Sequence, residues 1–334
     1  MSNCHVSSNH YEGKTMFHSK YDNVVGVDVA SRKLDLRDIK GNPHEVIANT
    51  LPAIRKWIGR VTTDGQSLLV VMEATGGYET LLIDALHEAE IDCAVVNPLR
   101  VRQFAIACGK LEKTDKTDAR IIAEFGAVVA PVLKQPLTPE LRTLRALVQR
   151  RAQIVALCSA EQNRCERAND PDVQEMIESS LKFHRQQLRD VEQRIAAVIR
   201  SCHEMAAKSA ILNSCCGVGP ATIAVLLSEL PELGQLNRGQ IAKLVGVAPI
   251  NRDSGTTERK RRTHAGRATV RKVLYMAALV GTQRNAKLKT YYQSLLTRGK
   301  PKKVALVAVM RKLLITLNAM IRKQQMWQDT HCHS

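Results

Sequence analysis

The stretch NVVGVDVASRK, residues 23–33, sets four valines around a single aspartate, and the reading of Asp28 decides the fold. A Val-rich run bounded by polar residues predicts a buried strand, in which Val24, Gly26 and Asp28 share one face and Val25, Val27 and Val29 the other. Neither face is patterned for water. An isolated ionised carboxylate there costs roughly several kcal/mol unless it is paired, hydrogen-bonded or bound to a metal. The chain must therefore supply partners for it.

Two other segments offer them. In SLLVVMEATGGYE, residues 67–79, Glu73 is again an acid at the carboxyl end of an apolar strand, followed by a Gly-rich turn. In KTDKTDAR, residues 113–120, Asp115 and Asp118 stand three apart at the start of a predicted helix and so share a face. Taken alone, that pair is explained by the helix dipole, which favours acids in the first turn. Together with two acids at the ends of buried strands, it points to a shared cation site. Oxygen-only ligands suit hard divalent ions, Mg²⁺ above all. Two such ions held about 3.5–4 Å apart stabilise both oxygens of a phosphoryl transfer.

The order of elements around these acids predicts the architecture. Strands are expected at VVGVDVA, KLDLRDI, HEVIANT, SLLVVMEA and DCAVVNP, with helices near 52–61 and 77–89 and further helix after the last strand. Three early strands without long crossovers, followed by alternating helices and strands, predict a mixed sheet of the ribonuclease-H kind. No GxGxxG follows the first strand, which argues against a dinucleotide fold. The expected organisation is a disordered tail over 1–20, an α/β domain over 21–135, a long-helix, coiled-coil-like region over 136–205, a mainly helical domain over 206–325 and a tail over 326–334.

In the long-helix region Thr138 before Pro139 is a strong helix start, and Leu141, Leu144, Val148, Val155 and Cys158 recur at helical spacing. Two readings stand for this hairpin: a surface that meets another protomer or nucleic acid, or packing within the chain. Further on, Gly217 and Gly219 in GVGP either form the phosphate-holding turn of a helix-hairpin-helix or simply open a helix.

Composition bounds the partners. Lys and Arg total 49 against 32 Asp and Glu in 334 residues, a formal charge of +17, so polyanions are attracted and nucleic acid is expected. Without an apolar signal core at the N-terminus or an apolar run of about 18 residues, the expectation is a cytoplasmic protein with no membrane partner. Nine cysteines, an odd number with no CxxC pair, suit a reducing compartment. The terminal Cys and His residues (Cys4, His5, His331, Cys332, His333) offer soft-metal ligands, but short polar tails are ordinarily disordered.

The strongest basic run lies between 251 and 272, with eight Lys or Arg against Asp253 and Glu258, a local net of +6. Arg252, Arg259, Lys260, Arg261, Arg262 and Arg267 fit phosphate contacts. The apolar LVGVAPI before it anchors the loop that carries Ser254 and Gly255; a serine in such a turn is commonplace and by itself carries no chemistry.

The ordered motifs GVDVASRKLD, MEATGGYE, NPLRVRQFA, KTDKTDAR, GVGP, LVGVAPINRDSG, KRRTHAGR, LYMAAL and RGKPKKVALVAVMRKLL, from Val25 to about Met326, make the chain resemble the insertion-sequence transposases of family one-ten, relatives of the pilin gene invertase. The resemblance implies a RuvC-like N-terminal domain whose Asp-Glu-Asp-Asp set falls on Asp28, Glu73, Asp115 and Asp118 with Mg²⁺. It implies a C-terminal transposase domain whose catalytic serine falls on Ser254. It further implies donor and target DNA, a noncoding bridge RNA that reads sequence by base pairing, and a dimer or tetramer with a composite site. The family often has Lys after GVDVA, where this chain has Ser31 and Arg32.

Three rivals are weaker. A metal-dependent junction-resolving nuclease would use the same carboxylates on water and need no serine. A sugar kinase or actin-like ATPase would need a second similar domain and an adenosine loop. An architectural nucleic-acid binder gives no reason to bury Asp28 and Glu73.

Overall fold

The protein is described by a computed structural model covering residues 20–62, 66–110, 115–249, 263 and 266–328, with 115–117 described in backbone only. The chain divides into two compact units, Met1–Pro136 and Leu137–Ser334.

The first unit is built on a five-stranded sheet. β1 (Asn23–Val29), β2 (Lys33–Asp38) and β3 (Glu45–Ala48) form an antiparallel meander, while β4 (Leu68–Glu73) and β5 (Asp92–Val96) add in parallel on the other side of β1, giving the order β3-β2-β1-β4-β5. β1 is thus central and paired on both edges. The parallel connections are the helices α1 (Leu51–Val61) and α2 (Thr80–Glu88), and after β5 come α3 (Pro98–Ala107) and α4 (Asp115–Val129).

Side-chain alternation splits the sheet into two cores. Val25, Val27, Val29, Val70 and Met72 pack with Ile54, Trp57, Leu82 and Leu86 of α1 and α2. Val24, Leu69 and Val71 pack on the opposite face with Val101, Ile122 and Phe125 of α3 and α4. Neither face of β1 is wet.

Gly26 sets how closely α4 lies on the sheet. A Cβ built there would stand 2.0 Å from the Ala119 carbonyl oxygen and 2.4 Å from the Ala123 nitrogen, so the helix backbone itself rests on the strand. Gly126, one turn further along α4, faces Val71 and Val24 at 2.5 and 3.1 Å from its own built Cβ. Ala119 over Gly26 and Gly126 over Val24 mean that α4 runs antiparallel to β1. Its first turn therefore ends up at the carboxyl end of that strand.

The turn after β4 differs from the expected helix start at 77. Gly76 and Gly77 have φ of 76° and 115°, left-handed values that a helix cannot use and that glycine tolerates best. Glu79 organises the turn instead, its Oε2 accepting from Gly77 N at 2.9 Å and from Thr75 Oγ1 at 3.1 Å, and α2 begins at Thr80.

The second unit is helical. α5 (Pro139–Cys165) and α6 (Pro171–Ser201) form a long hairpin, each opened by a capping side chain, Thr138 and Asp170, and by Pro at the first helical position. Its base joins the core through Leu144, Val148, Ile195 and Ile199, so packing within the chain accounts for that half. α7 (His203–Asn213), α8 (Pro220–Glu229), α9 (Arg238–Val245), α10 (Ala268–Arg284), α11 (Ala286–Thr297) and α12 (Lys302–Lys323) complete it. α8 is buried on every side from Thr222 to Ser228.

One expectation is corrected here. α12 is by length and composition apolar enough to cross a membrane, contrary to the sequence reading. Its apolar residues, among them Leu306, Val309, Leu313 and Leu317, belong to the core of the second unit, and interruption by Arg311 and Lys312 hid the run.

Gly26→Ala is expected to lower the unfolding free energy by about 3 kcal/mol or more, because neither β1 nor the α4 backbone is able to move aside cheaply. A denaturant midpoint equal to the parent's contradicts the close approach.

Candidate active site

β1 and β4 run parallel with Val27 against Met72, so Asp28 and Glu73 follow at the same level on the same face, the face covered by α4. Both are half-buried. Asp118 immediately precedes Ala119, whose carbonyl lies over Gly26, and is half-buried as well. Asp28, Glu73 and Asp118 are thus brought to one corner of the first unit. Asp115 is the first residue of α4 and lies in the same turn, with its side chain outside the described residues.

The donor set is oxygen-only, which fits a hard divalent cation in kind. Among the described residues no three His, Cys, Asp or Glu side chains stand close enough to enclose a metal ion, and each of the three carboxylates has a partner within the protein. Enclosure would draw on Asp115 as well.

A further carboxylate adjoins this corner. Asp35 on β2 is directly opposite Asp28, only 2% exposed, and forms an ion pair with Lys33 Nζ and a hydrogen bond with His44 Nε2, each at 3.0 Å. Like charges opposite one another on neighbouring strands repel. Lys33 and His44 hold the second negative charge in place beside the first. The signal was present in KLDL, where Asp35 alternates with buried Leu34 and Leu36.

Asn49 ties the loops that flank the corner. Its Nδ2 donates to Ala30 O and Tyr78 O, both at 3.1 Å, linking the residue after β1 to the turn after β4. The far end of the sheet is fastened separately. Ser67 N and Oγ donate to Asp22, which holds that carboxyl below its usual range, and Tyr21 donates to Asp92 at 2.7 Å, with burial pushing its hydroxyl up to about 12.

In the second unit, Ser254, Arg252, Arg259, Lys260, Arg261 and Arg262 lie outside the described residues. The residues that flank this segment are described, and they form a pinned neck. Gly266, at φ 79°, packs so closely on the α9 end that an added Cβ would stand 2.4 Å from Gly246 N. Arg267 N donates to Leu244 O at 3.2 Å, and Arg271 Nη1 donates to Val245 O at 3.1 Å. The described residues before and after that segment are therefore held together at the end of α9.

Arg267, expected to contact nucleic acid, is engaged inside this neck. Its two terminal nitrogens donate to the two Glu232 oxygens at 2.5 Å each, and Nη1 also reaches Glu229 O at 2.8 Å. Gly217 likewise has an internal reason to be glycine: at φ 102° its built Cβ would stand 2.9 Å from Ala277 O of α10. Gly219 is the N-cap of α8, with open space around it.

Arg267→Gln and Glu232→Gln are each expected to lower stability by about 1–3 kcal/mol, with the double variant costing less than the sum. A strictly additive pair, or an Arg267 variant that loses only nucleic-acid affinity, returns that residue to the binding surface.

Comparison with known proteins agrees with this layout. A family model described as "Transposase" matches residues 25–168, and one described as "Transposase IS116/IS110/IS902 family" matches 209–293. The pilin gene-inverting proteins of Moraxella lacunata and Moraxella bovis are each 26% identical over 310 residues, 90% of this chain and 96% of theirs. An insertion element IS110 protein of Streptomyces coelicolor is 28% identical over 148 residues, 44% of this chain and 36% of its own. With successive models of the same kind falling on both structural units, and relatives alike along nearly its whole length, the chain belongs to the IS110 family of transposases, enzymes of DNA recombination.

Proposed function

We propose that this protein cuts and rejoins DNA through Ser254, assisted by Mg²⁺ held by Asp28, Glu73, Asp115 and Asp118 on a RuvC-like, ribonuclease-H-like first unit. The observation that carries the reading is the common position of Asp28 and Glu73 at adjacent parallel strand ends, with the first turn of α4 laid beside them through Gly26. When bound, Mg²⁺ would neutralise the scissile phosphate as charge builds on its oxygens.

The chain's own groups do the rest. A serine hydroxyl is a poor nucleophile at neutral pH and needs a base and a neutralised phosphate to react. As the bond from Ser254 Oγ to phosphorus forms, the bond from phosphorus to the leaving sugar oxygen breaks. The serine proton leaves through a base, and the departing oxygen is protonated to a hydroxyl. The phosphoserine conserves the bond energy, and attack by the hydroxyl of another strand reverses the step. Arg252 and Arg259 to Arg262 would grip phosphates around the serine.

Sequence choice would come from a bridge RNA pairing with donor and target, with the protein holding backbones through its charge of +17. Because the carboxylates and the serine belong to different units, the working site would be composite within a dimer or tetramer.

Ser254→Ala is expected to fold and to keep RNA binding, yet to lose cleavage and the covalent protein–DNA species that the parent forms on nicked substrate. Asp118→Asn is expected to slow cleavage by about 10²- to 10³-fold with nucleic-acid affinity nearly unchanged. Hydroxyl-ended cuts from the Ser254→Ala variant, with no covalent species from the parent, would make this a water-using junction nuclease.

A further inference from the structure

A second site lies in the second unit, away from the loop neck and built from the junction of α10 and α11, the outer face of α12 and the segment that follows it. It is a cleft of about 900 Å³. Arg284, Lys287, Lys312 and Lys323 line it, and among the described residues no Asp or Glu does. Two aromatic rings line it as well: Lys312 Nζ stands 4.2 Å from the Tyr291 ring centroid, and Lys287 Nζ 5.5 Å from that of Trp327.

These groups are held in place. Trp327 N donates to Ser214 Oγ at 2.8 Å, and Lys287 Nζ donates to Gln328 O at 2.6 Å, so the segment after α12 is fastened across the cleft from both sides. Rings fixed in this way cost little entropy to stack upon.

An independent observation comes from Asn285, which also lines the cleft and is only 3% exposed. Its Oδ1 caps α11 by accepting from Leu288 N at 3.2 Å, which fixes the orientation of the amide. Its Nδ2 is buried without a hydrogen-bond partner among the described residues. A buried amide donor left unmet costs about 1–3 kcal/mol, which an acceptor recovers once a small shift of the side chain opens Nδ2 to the cleft.

We infer that this cleft holds one unpaired nucleotide of a single strand. Its base would stack on Tyr291 or Trp327, a base oxygen or nitrogen would accept from Asn285 Nδ2, and its phosphates would meet the lysines and Arg284. A bare phosphate has no use for the rings, and an apolar ligand leaves Nδ2 unmet. A nucleotide satisfies the cations, the rings and the amide together. A base within a duplex is stacked and paired, and enters only after being flipped out. The inference depends on the proposed function only for the source of the strand.

The test uses short oligothymidylate and oligouridylate with the full-length chain. Trp57 is buried in the first unit at 2% exposure, so binding is read through Trp327. Both oligomers should quench the fluorescence, and Trp327→Phe should abolish the signal. Asn285→Asp keeps the helix cap but replaces the donor by a buried negative charge, so its unfolding midpoint should fall; binding, measured well below that midpoint where the variant is fully folded, should weaken by about tenfold. Lys289→Gln, an equal charge change at an exposed α11 position outside the cleft, should cost no more than about twofold. Tighter binding of the uridylate assigns the strand to RNA, and equal or tighter binding of the thymidylate assigns it to DNA. Three outcomes overturn the inference: no change at Trp327 on binding, equal losses for the Asn285→Asp and Lys289→Gln variants, or competition by duplex as strong as by single strands. None of these readouts involves cleavage, so they stand or fall separately from Ser254 and the carboxylates.

Discussion

Where most strands present a side chain to the helix above, β1 presents only the hydrogen of Gly26, and the α4 backbone occupies the space. Helices ordinarily pack with side chains interposed. Here the Ala119 carbonyl and the Ala123 nitrogen take their place, and Gly126 permits the same intimacy over Val24 and Val71. The consequence is positional. A helix laid this close and antiparallel to β1 delivers its first turn to the carboxyl ends of β1 and β4, where Asp28 and Glu73 sit. Asp35, directly opposite Asp28, adds one more negative charge to this end of the sheet, and Lys33 offsets that charge at 3.0 Å.

Much of the first unit was legible because its signals are local. Valine runs, alternation and the placement of acids at strand ends anticipated all five strands, and KTDKTDAR anticipated the start of α4. The start of α2 was misplaced because Gly76 and Gly77 serve a turn closed by Glu79, an interaction between side chain and backbone that periodicity does not carry. Asp35 escaped notice because its importance depends on the β1–β2 register. A one-residue shift would have turned it to the other face.

The second unit was less legible for a different reason. Its basic residues read alike in sequence, whereas the structure sorts them. Arg267 is bound by Glu232 some 35 residues earlier, Arg271 holds Val245, and Lys287 and Lys312 lie over aromatic rings. Charge counting detects an affinity for polyanions but not which cations are already engaged. Gly217 shows the same limit: a motif reading offers phosphate contact, while its contact with α10 supplies a packing reason. The neck formed by Gly246, Gly266 and Arg267 joins residues separated by the whole segment that carries Ser254, and no window of sequence displays it.

The central claim is that α4 and the ends of β1 and β4 form one cation site. Substituting Fe²⁺ for Mg²⁺ in the presence of ascorbate and peroxide generates hydroxyl radicals at the bound ion, and mass spectrometry then locates the backbone cuts. The account predicts cuts confined to the neighbourhoods of residues 28, 73 and 115–118, suppressed by excess Mg²⁺. Cuts absent from these three segments, or unaffected by Mg²⁺, would contradict it.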